Sequence, residues 1–203
     1  MWIEQQRPRP RATLTAQPRR AVRAVRRSSK GDATRRRILD AAMAVVADEG
    51  YHAATHQRIA QAAGLVRTAI NYHFPDQDSL ADALVDHLHR LKAERVAAVI
   101  GGSLDDHPTL AIEAYWALLQ ETPFVAIAEL ECCARTDAAL RGRLAIAKER
   151  RPPPALEDDG LYGVSLRLLE GMARGGTQHD GAHRLLDLLK RAVLAPDGLL
   201  SAA

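Results

Sequence analysis

Residues 55–75 read THQRIAQAAGLVRTAINYHFP, and the order of small, glycine and apolar positions within them decides the fold. Thr55 is placed to cap a short helix that runs to Ala63, and residues 66–73 form a second short helix that ends before Pro75. Ile59 and Ala63 face a core, while the small Ala60 lets the second helix come close. Gly64 falls where the chain must reverse through a positive φ that a side chain resists, and Leu65 and Ile70 plug the crevice between the helices. This spacing suits a helix-turn-helix, although any αα-hairpin with a glycine turn can imitate it. The second helix carries the distinguishing signal: Arg67, Thr68, Asn71, Tyr72 and His73 offer donors for base edges and phosphates on the surface that Ile70 leaves outward. A purely structural helix has little use for that cluster.

Upstream, Ile38, Leu39, Ala42, Val45 and Val46 recur at helical spacing opposite Arg36, Arg37, Asp40 and Asp48. They predict an amphipathic helix from about Asp32 to Glu49, stopped by Gly50. Downstream, Asp76 caps a long helix over about 77–100 with Leu80, Leu84, Leu88 and Leu91 on one stripe, and Gly101-Gly102 ends it. Further helices are expected over about 108–121, 123–134, 136–150, 156–174 and 180–195, separated by Pro108, Pro123, Pro152-Pro153-Pro154 and Gly175-Gly176. Residues 105–107 look like a loop leading to the cap at Pro108. Strand-like alternation and fixed-period repeats are absent from the sequence, which predicts an all-α chain.

The 203 residues are 47% hydrophobic and 26% charged, ordinary for a chain with a packed core. No run approaches the roughly 20 apolar residues of a membrane span, and the start, MWIEQQRPRPR, lacks a secretory apolar segment, so a cytoplasmic location is expected. Cys132 and Cys133 are adjacent and are expected to stay reduced. Residues 1–30 hold nine cations against Glu4 alone, +8, which leaves −5 for the remainder of a chain with net charge +3. Their Pro, Arg, Ser and Gln show no apolar periodicity, so 1–31 is expected to be a disordered basic arm, with cations able to displace counterions from a duplex.

The run from Thr34 to Leu80, with its opening RRRILDAA, the Gly50-Tyr51 stop, RIAQAAG, NYHF and Asp-x-x-x-Leu, strongly resembles the DNA-binding domain of TetR-family regulators. The resemblance implies an N-terminal three-helix helix-turn-helix DNA-binding domain, residues 32–78, and a C-terminal helical effector-binding and dimerisation bundle, residues 79–203. It also implies DNA contacts at Thr55, Arg67, Thr68, Asn71, Tyr72 and His73, with Thr55 on phosphate, Tyr72 and His73 on the backbone, and Thr68 and Asn71 facing bases. Arg58 joins this set. Three positions depart from the family's pattern: Val66 stands where a capping Ser is usual, Asn71 replaces the commoner Tyr, and Gln77 replaces a frequent Lys. Residues 31–80 hold five Arg and six acids, so the domain is not basic and the arm is expected to compensate.

In the second half, Tyr115, Trp116, Phe124, Glu129 and Cys133 are candidates for an effector pocket, with plain core as the competing reading for the aromatics. Leu166, Leu169, Leu185, Leu188 and Leu189 are candidates for a homodimer interface, with packing inside the chain as the competing reading. Glu129 and Cys133, at i and i+4, share a helix face but make a weak metal site, and the two cysteines read as small buried residues. His87 and His89, at i and i+2, are expected on a solvated face, and Arg135 and Asp137 as solvent-facing or structural. No catalytic residue, metal or cofactor is expected. The whole reading is a regulator of double-stranded DNA at a palindromic operator, released by a small-molecule effector; the rival is an effector-binding or scaffold protein that keeps the helix-turn-helix shape without specific DNA binding.

Overall fold

The computed structural model describes residues 18–100, 108–150, 161–174 and 179–194. The described residues are helical and contain no strand. The elements are α1 (Pro18–Glu49), a 3-10 turn (Tyr51–Ala53), α2 (His56–Ala63), α3 (Arg67–His73), α4 (Gln77–Ile100), α5 (Pro108–Leu119), α6 (Thr122–Cys133), α7 (Ala138–Arg150), α8 (Leu161–Arg174) and α9 (His179–Leu194). Every helix expected from periodicity is present. The loop at 105–107 and the segments beyond the ends of α8 and α9 lie outside the described residues.

One boundary moves. The first helix begins at Pro18 rather than near Asp32, so the stretch from Pro18 to Gly31 is helical and not the unstructured arm expected of it. Proline is well suited to a first helical turn, and the Arg and Ala that follow are good helix formers; a search for an apolar stripe overlooks a helix of that kind. Met1–Arg35 is one unit and Arg36–Ala203 another.

Within Arg36–Ala203, one hydrophobic cluster unites both halves of the sequence. Ile38, Ala42, Val45 and Val46 of α1, Ile59 and Ile70 of α2 and α3, and Phe74 share it with Leu80, Leu84 and Leu88 of α4, Ile127 and Leu130 of α6, and Leu140 and Leu144 of α7. Burying each large aliphatic side chain contributes about 1.5–3 kcal/mol, so this cluster is the chief force holding α2 and α3 in place. A second cluster joins Val96, Ile112, Tyr115, Leu118 and Phe124 to Leu166, Leu169, Leu186 and Leu189 of α8 and α9. Leu166, Leu169 and Leu189 are therefore buried against their own chain, Leu185 is partly buried on the same cluster, and Leu188 is exposed.

The two histidines of α4 correct the sequence reading, since both His87 and His89 are buried. Position 87 lies seven residues after Leu80, two helical turns along the same stripe. His87 Nε2 lies 2.9 Å from Asp40 Oδ1, and Arg90 Nη2 lies 2.9 Å from His87 Nδ1. A guanidinium can only donate, so Nδ1 accepts and Nε2–H donates to Asp40, tying α4 to α1. Burial pushes the His89 pKa down, helped by the charge of Lys92, and its Nε2 has no hydrogen-bond partner.

Gly64 adopts φ +60°, ψ +39°, and its N–H closes the end of α2 on the carbonyls of Ala60 and Gln61. A methyl group there would sit 3.0 Å from the Arg37 guanidinium. Because the left-handed conformation costs a side-chain-bearing residue about 1–2 kcal/mol, Gly64→Ala should lose that much stability in urea denaturation; an unchanged midpoint would refute this account of the turn.

Candidate nucleic-acid interface and ligand cavity

The α2–α3 pair presents its polar residues as the spacing requires. Thr55 Oγ1 accepts the Arg58 N–H at 3.2 Å and caps α2. The α3 helix has no such cap: Val66, in the capping position with φ −80° and ψ 147°, makes no side-chain hydrogen bond and is exposed. Ile70 and Phe74 hold α3 against the core, leaving Arg67, Thr68, Asn71 and Tyr72 exposed. Tyr72 is the extreme case at 84%. His73 is half-buried and meets the Tyr72 ring edge-on at 5.2 Å.

Two members of the set are already engaged. Arg58 forms a two-pronged ion pair with Glu49 at the end of α1, which holds the Glu49 carboxyl below its ordinary pKa. Asn71 Oδ1 lies 3.0 Å from His56 Nδ1. That bond bridges α2 and α3 and fixes the amide's position. Gln77, where a cation was expected by resemblance, donates from Nε2 to the Ala54 carbonyl at 2.8 Å and fastens α4 to the turn before α2. Asp76 caps α4 as expected, accepting the Ser79 N–H at 2.7 Å, a contact that lowers its pKa.

A cavity of about 670 Å³ lies among α1, α4, α5, α6 and α8. Of the five residues expected at an effector site, Phe124 and Glu129 line it. Tyr115 is fully buried behind its wall, donating 2.6 Å to Glu170 Oε1, the same oxygen that takes Lys92 Nζ at 3.0 Å. Trp116 packs on the second hydrophobic cluster. Cys133 is half-buried beside the first cluster and bonds to Glu129. Lys92 and Glu170 also line the cavity and were not singled out for it, because they reach it from distant parts of the sequence; Cys132 and Arg135, close to Glu129 along the chain, line it as well. Cys132 is exposed rather than buried as the sequence reading held. Asp137 is structural, capping α7 through the Leu140 N–H at 2.9 Å.

Glu129 belongs to both regions. Its Oε1 accepts the backbone N–H of Tyr51 at 3.4 Å, across 78 residues, and the Cys133 thiol at 3.3 Å. Gly50 permits that approach: its φ is +90°, and a Cβ there would lie 3.3 Å from the same oxygen.

Residues 38–84 match the family described as bacterial regulatory proteins, tetR family. The match covers the α2–α3 pair and the elements on either side of it, so this part of the chain is similar to the TetR family's helix-turn-helix. Among curated relatives, the HTH-type transcriptional repressor Rv1474c of Mycobacterium tuberculosis is 48% identical over 67 residues, covering 33% of this chain and 34% of that one. The regulator BetI of Klebsiella pneumoniae is 27% identical over 112 residues, covering 45% and 57%. The match thus spans roughly a third to somewhat over half of these relatives' length. Among solved structures, multidrug binding protein EbrR in complex with imidazole aligns at TM-score 0.54 and 24% identity, over 77% of this chain and 93% of that one. A TetR-family protein from Mesorhizobium loti aligns at 0.58 and 17%, over 81% and 96%. At these identities the likeness speaks for a common fold, extending the TetR-type architecture through the second half. Among the described residues no helix is long and apolar enough to cross a membrane, and no cluster of three or more potential metal ligands occurs.

The two cysteines give the local geometry a chemical readout. Burial, reinforced by the Glu129 carboxylate, pushes the Cys133 thiol up from 9.0 to about 11. Since the thiolate is the nucleophile, iodoacetamide at pH 8 should alkylate exposed Cys132 at least about tenfold faster than Cys133, as followed by peptide mass spectrometry. Glu129→Ala should narrow the gap. Equal rates in the parent chain would contradict the geometry.

Proposed function

We propose that this chain is a TetR-family transcription regulator that grips a palindromic operator as a homodimer and releases it when a small molecule enters the cavity. The exposed donors on α3 carry this reading. Arg67, Thr68, Asn71 and Tyr72 stand together on a helix pinned by Ile70, and the core has no use for them. Asn and Arg at such positions can pair with base edges, while Thr55, Tyr72 and His73 fix the register on phosphates. Arg58 serves mainly through its pair with Glu49, orienting α2 on α1.

The cavity supports the ligand-responsive half of the proposal. Its volume lies within the roughly 300–1,000 Å³ usual for small-molecule sites, and its lining mixes Leu119, Phe124 and Ile127 with the charged Lys92, Glu129, Glu131, Arg135 and Glu170. Related folds are known with imidazole and with ethidium bound to EbrR, so ligands of that size are reasonable first probes here. Dimerisation is supported by α8 and α9. Val164, Leu168 and Leu188 remain 48%, 44% and 53% exposed, an apolar face that a second copy would cover around a two-fold axis. Leu188 is the interface residue we retain from the sequence-derived set, while Leu166, Leu169 and Leu189 support it from within the core. Repression, as in the relative from Mycobacterium tuberculosis, and a cytoplasmic site of action complete the proposal. The rival, a helix-turn-helix without specific DNA binding, takes its support from the uncapped start of α3.

Selection of random duplexes on the purified chain separates the two. Recovery of a palindrome with half-sites about one helical turn apart, and affinity falling steeply with salt, supports the proposal; no enrichment at low salt overturns it. On the recovered operator, Asn71→Ala should relax preference at one base pair per half-site by about 1–3 kcal/mol. Tyr72→Phe should instead weaken all sequences alike. If both variants bind as the parent does, α3 is not the reading helix.

A further inference from the structure

Glu129 touches both the cavity and the backbone at the start of the helix-turn-helix, and among the described residues it does so without a cationic partner. The other cavity carboxylates are occupied: Glu170 is shared by Lys92 and Tyr115, and Glu131 pairs with Lys148 at 3.3 Å. Among the described residues no Lys, Arg or His lies within 4 Å of a Glu129 oxygen. Among the described residues its Oε1 holds two weak donors, a thiol and a long amide bond, and its Oε2 makes no hydrogen bond. A half-buried carboxylate in this state favours any cation that reaches it, because a charge-assisted hydrogen bond is roughly twice as strong as a neutral one. A 3.4 Å amide bond is readily surrendered in exchange.

The other end of that bond is equally specific. The Tyr51 N–H opens the 3-10 turn that joins α1 to α2, and Gly50 at φ +90° leaves no side chain to keep Glu129 away. Ala47, one turn earlier on α1, itself lines the cavity. An occupant is thus adjacent both to the carboxylate and to the helix whose end it holds.

Resting on the reading of the cavity as the effector site, we propose that Glu129 is the residue that transmits occupancy: a ligand bearing a cationic hydrogen-bond donor takes its carboxylate, the Tyr51 N–H loses its acceptor, and the α1–α2 junction loosens. The ligand class follows from the Glu129 carboxylate, which has no cationic partner among the described residues: an ammonium, amidinium or protonated heteroaromatic group on an apolar body that fits beside Phe124. DNA affinity then falls because α2 and α3 are no longer held at a single angle to α1.

The cavity supplies its own test, since Cys132 lines it, is exposed, and lies three residues from Glu129 on α6, where side chains are about 5–6 Å apart at Cβ. In a common Cys133→Ser background, which keeps a donor for Glu129, Cys132 is converted to its mixed disulfide with either 2-aminoethyl methanethiosulfonate or the neutral ethyl methanethiosulfonate. The adducts are similar in length and differ in the ammonium. The ammonium adduct should raise exchange of the Tyr51 amide by about tenfold over the ethyl adduct and weaken operator binding by a similar factor, with Glu129→Gln erasing both differences. Equal behaviour of the two adducts with Glu129 in place overturns the proposal, as does a difference that survives Glu129→Gln. The adduct comparison needs no substitution at Glu129, so it decides even if that variant folds poorly. Should no duplex bind the parent chain, the DNA-binding reading fails alone, and Tyr51 exchange still decides whether Glu129 is a relay.

Discussion

The whole arrangement depends on a shared hydrophobic core. Helices α2 and α3 are too short to stand by themselves, since isolated helices below about 12–15 residues are marginal in water. They are ordered because Ile59, Ile70 and Phe74 are buried in the same cluster as Leu80 to Leu88 of α4 and Leu130 of α6. The α2–α3 surface therefore has no core of its own to retreat to. Its orientation is set by helices that also wall the cavity, and a disturbance among those helices reaches α3 through packed side chains.

Polar contacts refine that geometry rather than create it. Asp40 and His87 link α1 to α4, Gln77 fastens α4 to Ala54, Arg143 ties α7 to Asp78 and Asp82, and Glu129 holds the Tyr51 amide. Most involve an exposed partner and add little stability beside the burial beneath them. Their value lies in direction. Each joins an element of the helix-turn-helix, or the start of α4, to an element of the larger bundle, so each is a point where a ligand or a partner can bias the angle between helices.

The sequence disclosed what depends on local order. Gly64 and Thr55 announced the turn and its cap because positive φ and capping are decided within a few residues, and the two apolar periodicities marked α1 and α4. The extension of α1 to Pro18 was hidden because no apolar stripe marks it. Contacts at a distance were hidden too. His87 looked solvated until Asp40 of α1 was seen to meet it, and His89 until the charged groups of α6 and α7 were found beside it, while Glu129 read as a pocket candidate or half of a poor metal site because its partner, an amide 78 residues away, leaves no side-chain signature. Leu166, Leu169 and Leu189 carried the periodicity of an interface, but periodicity identifies an apolar face without saying whether α5 or a second chain covers it.

The central claim is that the recognition helix and the cavity-bearing helices respond together. Amide hydrogen exchange of the full chain, measured with and without its selected operator duplex, tests it most directly. The account predicts slower exchange on DNA in α2 and α3, at Tyr51, and along α6 around Glu129, a region that touches no DNA. Protection confined to α2 and α3, with Tyr51 and α6 unchanged, would contradict it.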